Sequence, residues 1–409
     1  MVFLMGPSAG GMLGAAWDLA RQLRQRGTPV YWLGSRPMAA RGGRRGARGP
    51  RRRPAADDPE QEWVTALAWP RGLRPRPRGA LEQGAAEALA ALGPAIIHAH
   101  GLRASWLARA LLRHRRIPPA PLLTTLHSFP FHDPELARLP TRLWRLLERR
   151  PPLPERYVCV SAALGRWLAA ANPPLAARSV VIPYGRARAE HYFAERDKAR
   201  QGLGLPVAPH CPLVGVLSRC SPEKGLDLLL AAFRQVAGEG GPMAGWRLVI
   251  VGDGPQLPHL RRYARREGLQ GRVHFTGHVP EGARFLKAFD LCVIPSRSEG
   301  LGLTALEALA AGVPVIAAAV GGLVEALDNG RCGLLVEPRS VPALAAALAR
   351  LAPDEKERRR LAAQGPAWVS RAYPTNNMVD AHLALYREVA ARHGLARQGR
   401  RGQPSGRHH

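Results

Sequence analysis

The stretch Pro295-Ser-Arg-Ser-Glu-Gly-Leu-Gly-Leu-Thr-Ala-Leu-Glu-Ala-Leu-Ala-Ala-Gly-Val-Pro-Val-Ile-Ala317 decides how this chain folds. The apolar run from Asp290 to Ile294 predicts a strand that empties into the glycine-bearing loop. The loop feeds a helix over about 303–311. Gly312 and Pro314 stop that helix, and a second apolar strand follows at once. A strand–loop–helix–strand unit of this kind belongs to a parallel sheet, whose ligands bind beyond the carboxyl ends of the strands. At the start of the helix, amides at Gly302 and Leu303 suit a phosphate. Glu299 lies in the loop and Glu307 on the first turns of the helix, so two carboxylates can meet different parts of one ligand.

A second informative stretch is Gly215-Val-Leu-Ser-Arg219-Cys-Ser-Pro-Glu-Lys224-Gly-Leu-Asp-Leu-Leu. A strand end presents Arg219, and a loop presents Lys224 just before a helix. Two fixed cations there can hold a diphosphate and stabilise the charge that builds on it as its bond breaks. The bland alternative is a solvated loop with surface charges. Against it stands the scarcity of lysine, with only Lys198, Lys224, Lys287 and Lys356 among 59 basic residues. Glu307 has a bland reading too, as a carboxylate answering the helix dipole.

Taken with its flanks, Glu-Gly-Leu-Gly-Leu, Glu-Ala and Gly-Val-Pro-Val-Ile-Ala, the first stretch resembles the Glu-x7-Glu signature of retaining family 4 glycosyltransferases (glycosyl transferases group 1). The second resembles the Arg-x4-Lys-Gly motif of the same family. The resemblance implies an α/β protein of the GT-B fold, with two Rossmann-like domains facing a cleft. It implies transfer of a sugar from a nucleoside diphosphate sugar to an acceptor (glycan, lipid-linked or small molecule), with retention at the anomeric carbon. Glu307 is expected on the ribose and Glu299 on the donor sugar. Gly300, Leu301, Gly302 and Leu303 are expected to line the donor, with Arg219 and Lys224 on the diphosphate. Gly252-Asp-Gly-Pro255 resembles a family turn near the nucleotide, and a purely structural role is the alternative. The loop Gly277-His-Val279 is expected to meet the base through backbone. His127, at a strand end before Ser-Phe-Pro, is expected to bind a sugar hydroxyl or assist near the leaving group. Gly10 and Gly11, before the first helix, and His100 are expected on the acceptor side. His98 and His100 share one face of a strand by alternation. A metal pair there has no third ligand, and neither metal nor cofactor is expected. The resemblance is sharp from about 214 to 337. Tyr184-Gly185-Arg186 departs from the family's Asn-Gly-Val and puts the contacts of that loop in doubt.

The 409 residues suggest two or three domains. Residues 1–184 are expected to form the acceptor-binding domain and 185–374 the nucleotide-sugar-binding domain. A C-terminal helix over 375–395 can cross back to the first domain, and 396–409 reads as a disordered tail. Strand and helix alternate throughout, as α/β folds do. In the first domain strands are expected at 1–5, 30–33, 95–100, 122–126, 156–160 and 180–183. In the second they are expected at 213–217, 247–251, 273–276, 291–294, 315–318 and 333–336. The segment 36–54 holds eight arginines with glycine and proline and reads as a mobile basic loop. An arginine-rich helix is expected near 141–150, and Ser161 is expected to cap the helix that follows it.

Five scattered cysteines suggest neither a disulfide framework nor a zinc site, and a reducing cytosol fits. The beginning of the sequence lacks a signal-peptide pattern. Residues 303–324 match a membrane span in length. Glycines, Pro314 and Glu307 argue against one. The formal net charge is +28, and residues 1–150 carry 25 arginines against 10 acidic residues. A cytoplasmic enzyme in peripheral contact with an anionic membrane is one expectation. A chain-wide arginine bias is the other. Rival functions are a nucleotide-sugar epimerase or another GT-B enzyme, a nucleic-acid-binding protein, and a catalytically silent partner subunit. No lysine is marked for the pyridoxal phosphate that a phosphorylase needs. No aromatic platform or zinc module accompanies the arginines, so nucleic acid is not expected. Both motif carboxylates and both cations are present, against the silent subunit.

Overall fold

The computed structural model describes residues 1–5, 11–34, 64–65, 78–130, 148, 151–186, 193–205 and 210–395. The basic loop expected at 36–54, Gly10, the tail 396–409 and all but residue 148 of the helix expected near 141–150 lie outside the described residues. The chain divides into two compact units. One comprises Met1–Cys159, Gly165–Ile182 and Asn377–His409, the other Val160–Leu164 and Pro183–Asn376.

The first unit is built on a parallel sheet of β1 (Val2–Met5), β2 (Tyr31–Leu33), β3 (Val64–Thr65), β4 (Ile97–His100), β5 (Leu122–Leu126), β6 (Arg156–Cys159) and β7 (Ser179–Val181). Their spatial order is β3-β2-β1-β4-β5-β6-β7. Alternation along β1 divides the core. Val2 and Leu4 join Leu33, Leu89, Ile97, Ala99, Leu107 and Leu111 on one face. Phe3 packs on the other against Trp32, His98 and His100. Trp17, on the helix Gly11–Gln25, stacks edge-on against Trp32 there. The helix Thr375–Arg392 lays His382 and Tyr386 against His98. Among the deeply buried polar groups of this unit is a carboxylate, Glu148. Glu148 accepts from Trp106 Nε1 at 2.5 Å, Arg109 Nη1 at 3.0 Å and the Tyr157 hydroxyl at 2.6 Å.

The second unit has β8 (Leu213–Leu217), β9 (Arg247–Val251), β10 (Val273–Gly277), β11 (Leu291–Ile294), β12 (Val315–Ala318) and β13 (Leu334–Val336). All are parallel, in the order β10-β9-β8-β11-β12-β13. This is the doubly wound order, with the reversal between β8 and β11, the place where such sheets receive ligands. The helices Leu226–Val236 and Val341–Leu351 close one face through Leu229, Leu230, Phe233, Leu344 and Leu348. Residues 303–324, long enough for a membrane span, divide into a helix (Leu303–Ala310), β12 and a short helix (Leu323–Ala326). Among the described residues no helix is long and apolar enough to cross a membrane.

Two helices of this unit escaped the sequence reading, Arg196–Gly202 and the longer Glu355–Ala372. The Gly365-Pro366 pair inside the second reads as a break, yet the helix runs through it. A Cβ at Gly365 would lie 2.6 Å from the Leu309 carbonyl oxygen, so the glycine marks where this helix packs on Leu303–Ala310. Its start did carry a signal. Asp354 caps the Glu357 amide at 2.9 Å, the first half of a capping box.

Candidate active site

In the second unit the loops after β8 and β11 leave the sheet on either side of the reversal. Arg219 stands two residues past β8 and is exposed, with no ion-pair partner among the described residues. Lys224 ends a short 3-10 turn, Pro222–Lys224. Its Nζ donates to Glu299 Oε1 at 2.5 Å, and Ser296 Oγ donates to the same oxygen at 2.9 Å. Two residues read separately from sequence thus form one contact.

A clamp holds these loops together. Arg297 Nη1 and Nη2 reach the two oxygens of Asp227 at 2.8 and 2.6 Å, a bidentate pair. Arg297 Nη1 also bonds the Pro222 carbonyl at 2.7 Å, and the Arg297 amide bonds the Glu223 carbonyl at 2.8 Å. Burial alone would raise the Asp227 carboxyl. The hydrogen bond and charge of Arg297 outweigh it and hold the group below its ordinary range. Gly225 completes the fit. It adopts φ +64°, and a Cβ there would lie 2.1 Å from the Pro295 carbonyl oxygen. Arg297 and Asp227 both lie inside the motifs quoted from sequence, but nothing in either motif marks their pairing.

Past Glu299, Gly300, Leu301 and Gly302 are buried, and Gly302 is the N-cap of the helix Leu303–Ala310. The amides of Leu303 and Thr304 have no acceptor among the described residues. They are the orphan donors of a helix start and favour an anion. The Glu299 carbonyl accepts from Gly322, and the Gly300 carbonyl accepts from Ser161 Oγ at 2.5 Å. Ser161 Oγ also caps the Leu164 amide at 3.1 Å, as its position before a helix predicts. Glu307 lies one turn into the helix, 8 % exposed. Its partner is Arg186, Nε to Oε1 at 3.5 Å, and Arg186 is itself buried. Sequence reading left Arg186 without a role. Gly252 bonds the Gly277 carbonyl at 2.9 Å, joining the ends of β9 and β10, and Val279 is half-buried two residues on.

In the first unit Gly11 is exposed at the start of its helix. His100 ends β4 and His127 follows β5, with His100 Nδ1 and His127 Nε2 3.3 Å apart. His98 bonds the Tyr386 hydroxyl at 2.8 Å and Thr125 Oγ1 at 2.7 Å, and His382 Nδ1 donates to the Met378 carbonyl at 2.8 Å. Desolvation, aided by neighbouring rings, drives His98 and His100 well below the ordinary imidazole range. It takes His127 down to about 3 and His382 to about 4. At neutral pH this is a nest of uncharged rings, able to exchange hydrogen bonds but not to supply positive charge. His100 Nε2 is buried without a hydrogen-bond partner. Among the described residues no group of three or more His, Cys, Asp or Glu side chains is disposed to hold a metal ion.

Two doubly wound parallel units, with cations and carboxylates at the strand ends of the second, define a GT-B glycosyltransferase. Residues 9–186 match Glycosyltransferase Family 4 and residues 211–354 match Glycosyl transferases group 1. A 2-deoxystreptamine N-acetyl-D-glucosaminyltransferase of Streptomyces fradiae is 32% identical over 298 residues, covering 68% of this chain and 68% of that protein. A GDP-mannose-dependent alpha-(1-6)-phosphatidylinositol monomannoside mannosyltransferase of Mycobacterium tuberculosis is 39% identical over 168 residues, 39% of this chain and 43% of that protein. Against the latter the chain spans less than half the relative's length. Among solved structures, sucrose-phosphate synthase from Thermosynechococcus elongatus aligns with TM-score 0.72 at 24% identity, over 96% of this chain and 99% of that one. Anabaena HepE in complex with UDP and glucose aligns with TM-score 0.72 at 21% identity, over 94% and 99%. These two likenesses establish the fold. The chain belongs to glycosyltransferase family 4, and its activity is glycosyl transfer.

Proposed function

We propose that this glycosyltransferase moves a sugar from a nucleoside diphosphate donor to an acceptor hydroxyl, with retention at the anomeric carbon and without a metal. The observation that carries the reading is the Lys224–Glu299 contact, beside the exposed Arg219, at the reversal of the second sheet. An ammonium has three N–H donors. One is given to Glu299, leaving two for phosphate oxygens. Arg219 and the amides of Leu303 and Thr304 add donors of the same kind. Together they would stabilise the charge released onto the diphosphate, the part a divalent metal takes elsewhere. Glu299, steadied by Ser296 and Lys224, is assigned to hydroxyls of the donor sugar, and Glu307 to the ribose. Gly252 and Val279 are assigned to the nucleotide's surroundings.

Retention is what the family resemblance implies, and the route proposed for it is front-face attack. Glu148, the first unit's fully buried carboxylate, is committed to Trp106, Arg109 and Tyr157. No described carboxylate there is placed as a covalent nucleophile. In this reading the acceptor oxygen attacks from the face the diphosphate leaves, and its proton passes to the departing phosphate. His127, neutral, binds a sugar hydroxyl. Gly11 and His100 belong to the acceptor side. A nucleotide donor agrees with the GDP-mannose dependence printed for the mycobacterial relative and with the UDP in the Anabaena structure.

The testing experiment is a donor panel. UDP-, GDP- and ADP-sugars are assayed for hydrolysis or transfer in excess EDTA, with the product's anomeric configuration read by NMR. The expected result is turnover of one donor class in chelator, with the configuration kept. Turnover that appears only on adding magnesium or manganese, or an inverted product, would refute the mechanism.

We also place the enzyme at the cytoplasmic face of an anionic membrane. The exposed run Arg113-His-Arg-Arg116 closes the helix Leu102–Arg113 and adds to the basic balance of residues 1–150. Each basic residue near such a surface contributes about 1 kcal/mol, fading with salt. Flotation with phosphatidylserine vesicles at low salt is expected to carry the protein upward, and 0.5 M salt to release it. Protein that stays at the bottom at low salt while active on a soluble acceptor would leave only arginine bias.

A further inference from the structure

Arg186 occupies the third position of a turn, Tyr184-Gly185-Arg186, where the second unit's chain begins. Its side chain is 4 % exposed and is aimed at Glu307, Nε to Oε1 at 3.5 Å. The placement is enforced by backbone. The Arg186 amide donates to the Tyr373 carbonyl at 2.9 Å. A Cβ on Gly185 would lie 2.3 Å from Thr375 Cα, so the turn is pressed against the chain at 373–375. The other partner is equally fixed, because Glu307 rides on a helix packed against Glu355–Ala372 at Gly365. The carboxylate that sequence and motif assign to the donor therefore meets a buried guanidinium before any ligand arrives.

We propose that Arg186 is a positioning residue for Glu307, holding its carboxylate oriented so that the enzyme prefers nucleotides with both ribose hydroxyls. The inference rests on the assignment of Glu307 to the ribose given above. The chemistry is simple. An ionised carboxylate offers about four acceptor sites. Arg186 Nε stands 3.5 Å from Oε1, an ion-pair contact longer than a hydrogen bond, so the carboxylate keeps acceptors for two ribose hydroxyls. Burying a carboxylate with no counter-charge is costly, so a Glu307 lacking Arg186 would turn away or recruit water. Each outcome removes an acceptor the ribose needs. Lysine would restore charge without the planar fork, so it is expected to rescue in part. The diphosphate contacts of Arg219 and Lys224 do not pass through Arg186.

The test measures dissociation constants by calorimetry for UDP, GDP and ADP, continuing with whichever binds and with its 2′,3′-dideoxy counterpart. Wild type is expected to prefer the ribonucleotide at least tenfold. Arg186→Met is expected to lose most of that preference by weakening the ribonucleotide, with dideoxynucleotide affinity within about threefold of wild type. Arg186→Lys is expected to fall between. In the transfer assay Arg186→Met should raise donor KM far more than it lowers kcat. Should Arg186→Met fail to fold, judged by its melting transition, Arg186→Gln is read in the same way. Glu307→Ala separates the two ideas. If it leaves the ribose preference intact, the ribose assignment falls and this inference with it. If it abolishes the preference while Arg186→Met and Arg186→Gln keep it, the assignment stands and Arg186 is not the positioning residue. Equal weakening of both nucleotides by the Arg186 variants would also overturn the proposal, because it would place Arg186 on the phosphates or in the scaffold.

Discussion

Lys224→Ala is expected to abolish nearly all transfer, and to do so through two faults at once. The first is lost affinity. A charge-assisted hydrogen bond to phosphate contributes about 1.5–3 kcal/mol, so nucleoside diphosphate binding should weaken about 10- to 150-fold. The second is the fate of Glu299. Lys224 Nζ lies 2.5 Å from Glu299 Oε1, and Glu299 is largely buried. Without the ammonium only Ser296 Oγ still reaches that oxygen. The carboxylate assigned above to the donor sugar would then stand loose, and kcat should fall by a further factor on the order of 10²–10³, as when one electrostatic stabiliser of a transition state is removed. Arg219→Ala separates the two effects. Arg219 is exposed and has no ion-pair partner among the described residues, so its loss should cost affinity and charge stabilisation while leaving Glu299 and the melting temperature alone. Calorimetry with the nucleoside diphosphate, and steady-state kinetics on both variants, decide the matter. Unchanged affinity in both would refute the diphosphate assignment. Equal kcat in the two variants would refute the second role given to Lys224.

The α/β class and the strands flanking both motifs were legible in sequence, because they rest on local signals. Apolar runs mark β8, β11 and β12, and Gly312-Val-Pro ends a helix wherever it occurs. The same local signals put Arg219, Lys224 and Glu299 in loops that follow strands and Glu307 on the helix Leu303–Ala310. What stayed hidden depends on residues far apart in the chain. Lys224 meets Glu299 across 75 positions, and Arg297 meets Asp227 across 70. No local spacing announces either pair. Arg186 was a departure from a motif, and its meaning appears only when the turn at 184–186 is set beside Glu307. The helix Glu355–Ala372 contains Gly365-Pro366, a strong local breaker that packing on Leu309 overrides, and no local pattern announces that packing. His98 and His100 were rightly put on one face, but their joining of His127, His382 and Tyr386 needs a helix nearly three hundred residues away.

That histidine nest sets the second large expectation, a steep loss of stability in mild acid. Its four rings face one another, Phe3, the hydroxyls of Tyr386 and Thr125, and the Met378 carbonyl, without a carboxylate among these contacts. Burial is the chief cause that holds all four far below their ordinary value, His127 at about 3 and His382 at about 4, and neighbouring imidazoles add to it for His98, His100 and His127. In the unfolded chain each titrates near 6.5. The folded state therefore binds fewer protons than the unfolded state at every pH between these limits. The stability is fully present above about pH 6.5 and is lost as the pH falls towards 3–4. At pH 5 each ring that refuses its proton costs about 2 kcal/mol by the same linkage, so His127 and His382 alone would withdraw about 4 kcal/mol from a typical total of 5–15 kcal/mol. The window from 6.5 to 5 lies above the ordinary carboxylate range, which isolates the histidine contribution. Thermal melts at pH 7.5, 6.5, 5.75 and 5 should show the midpoint steady above 6.5 and falling progressively below it. His382→Leu keeps an apolar side chain of similar reach on the C-terminal helix and removes one titrating ring. Its midpoint should fall less steeply over the same window, even if the variant starts lower at pH 7.5. A wild-type midpoint that holds between 6.5 and 5, or a His382→Leu slope equal to that of wild type, would show that water or a rearranged ring admits the protons and that the nest does not govern acid stability.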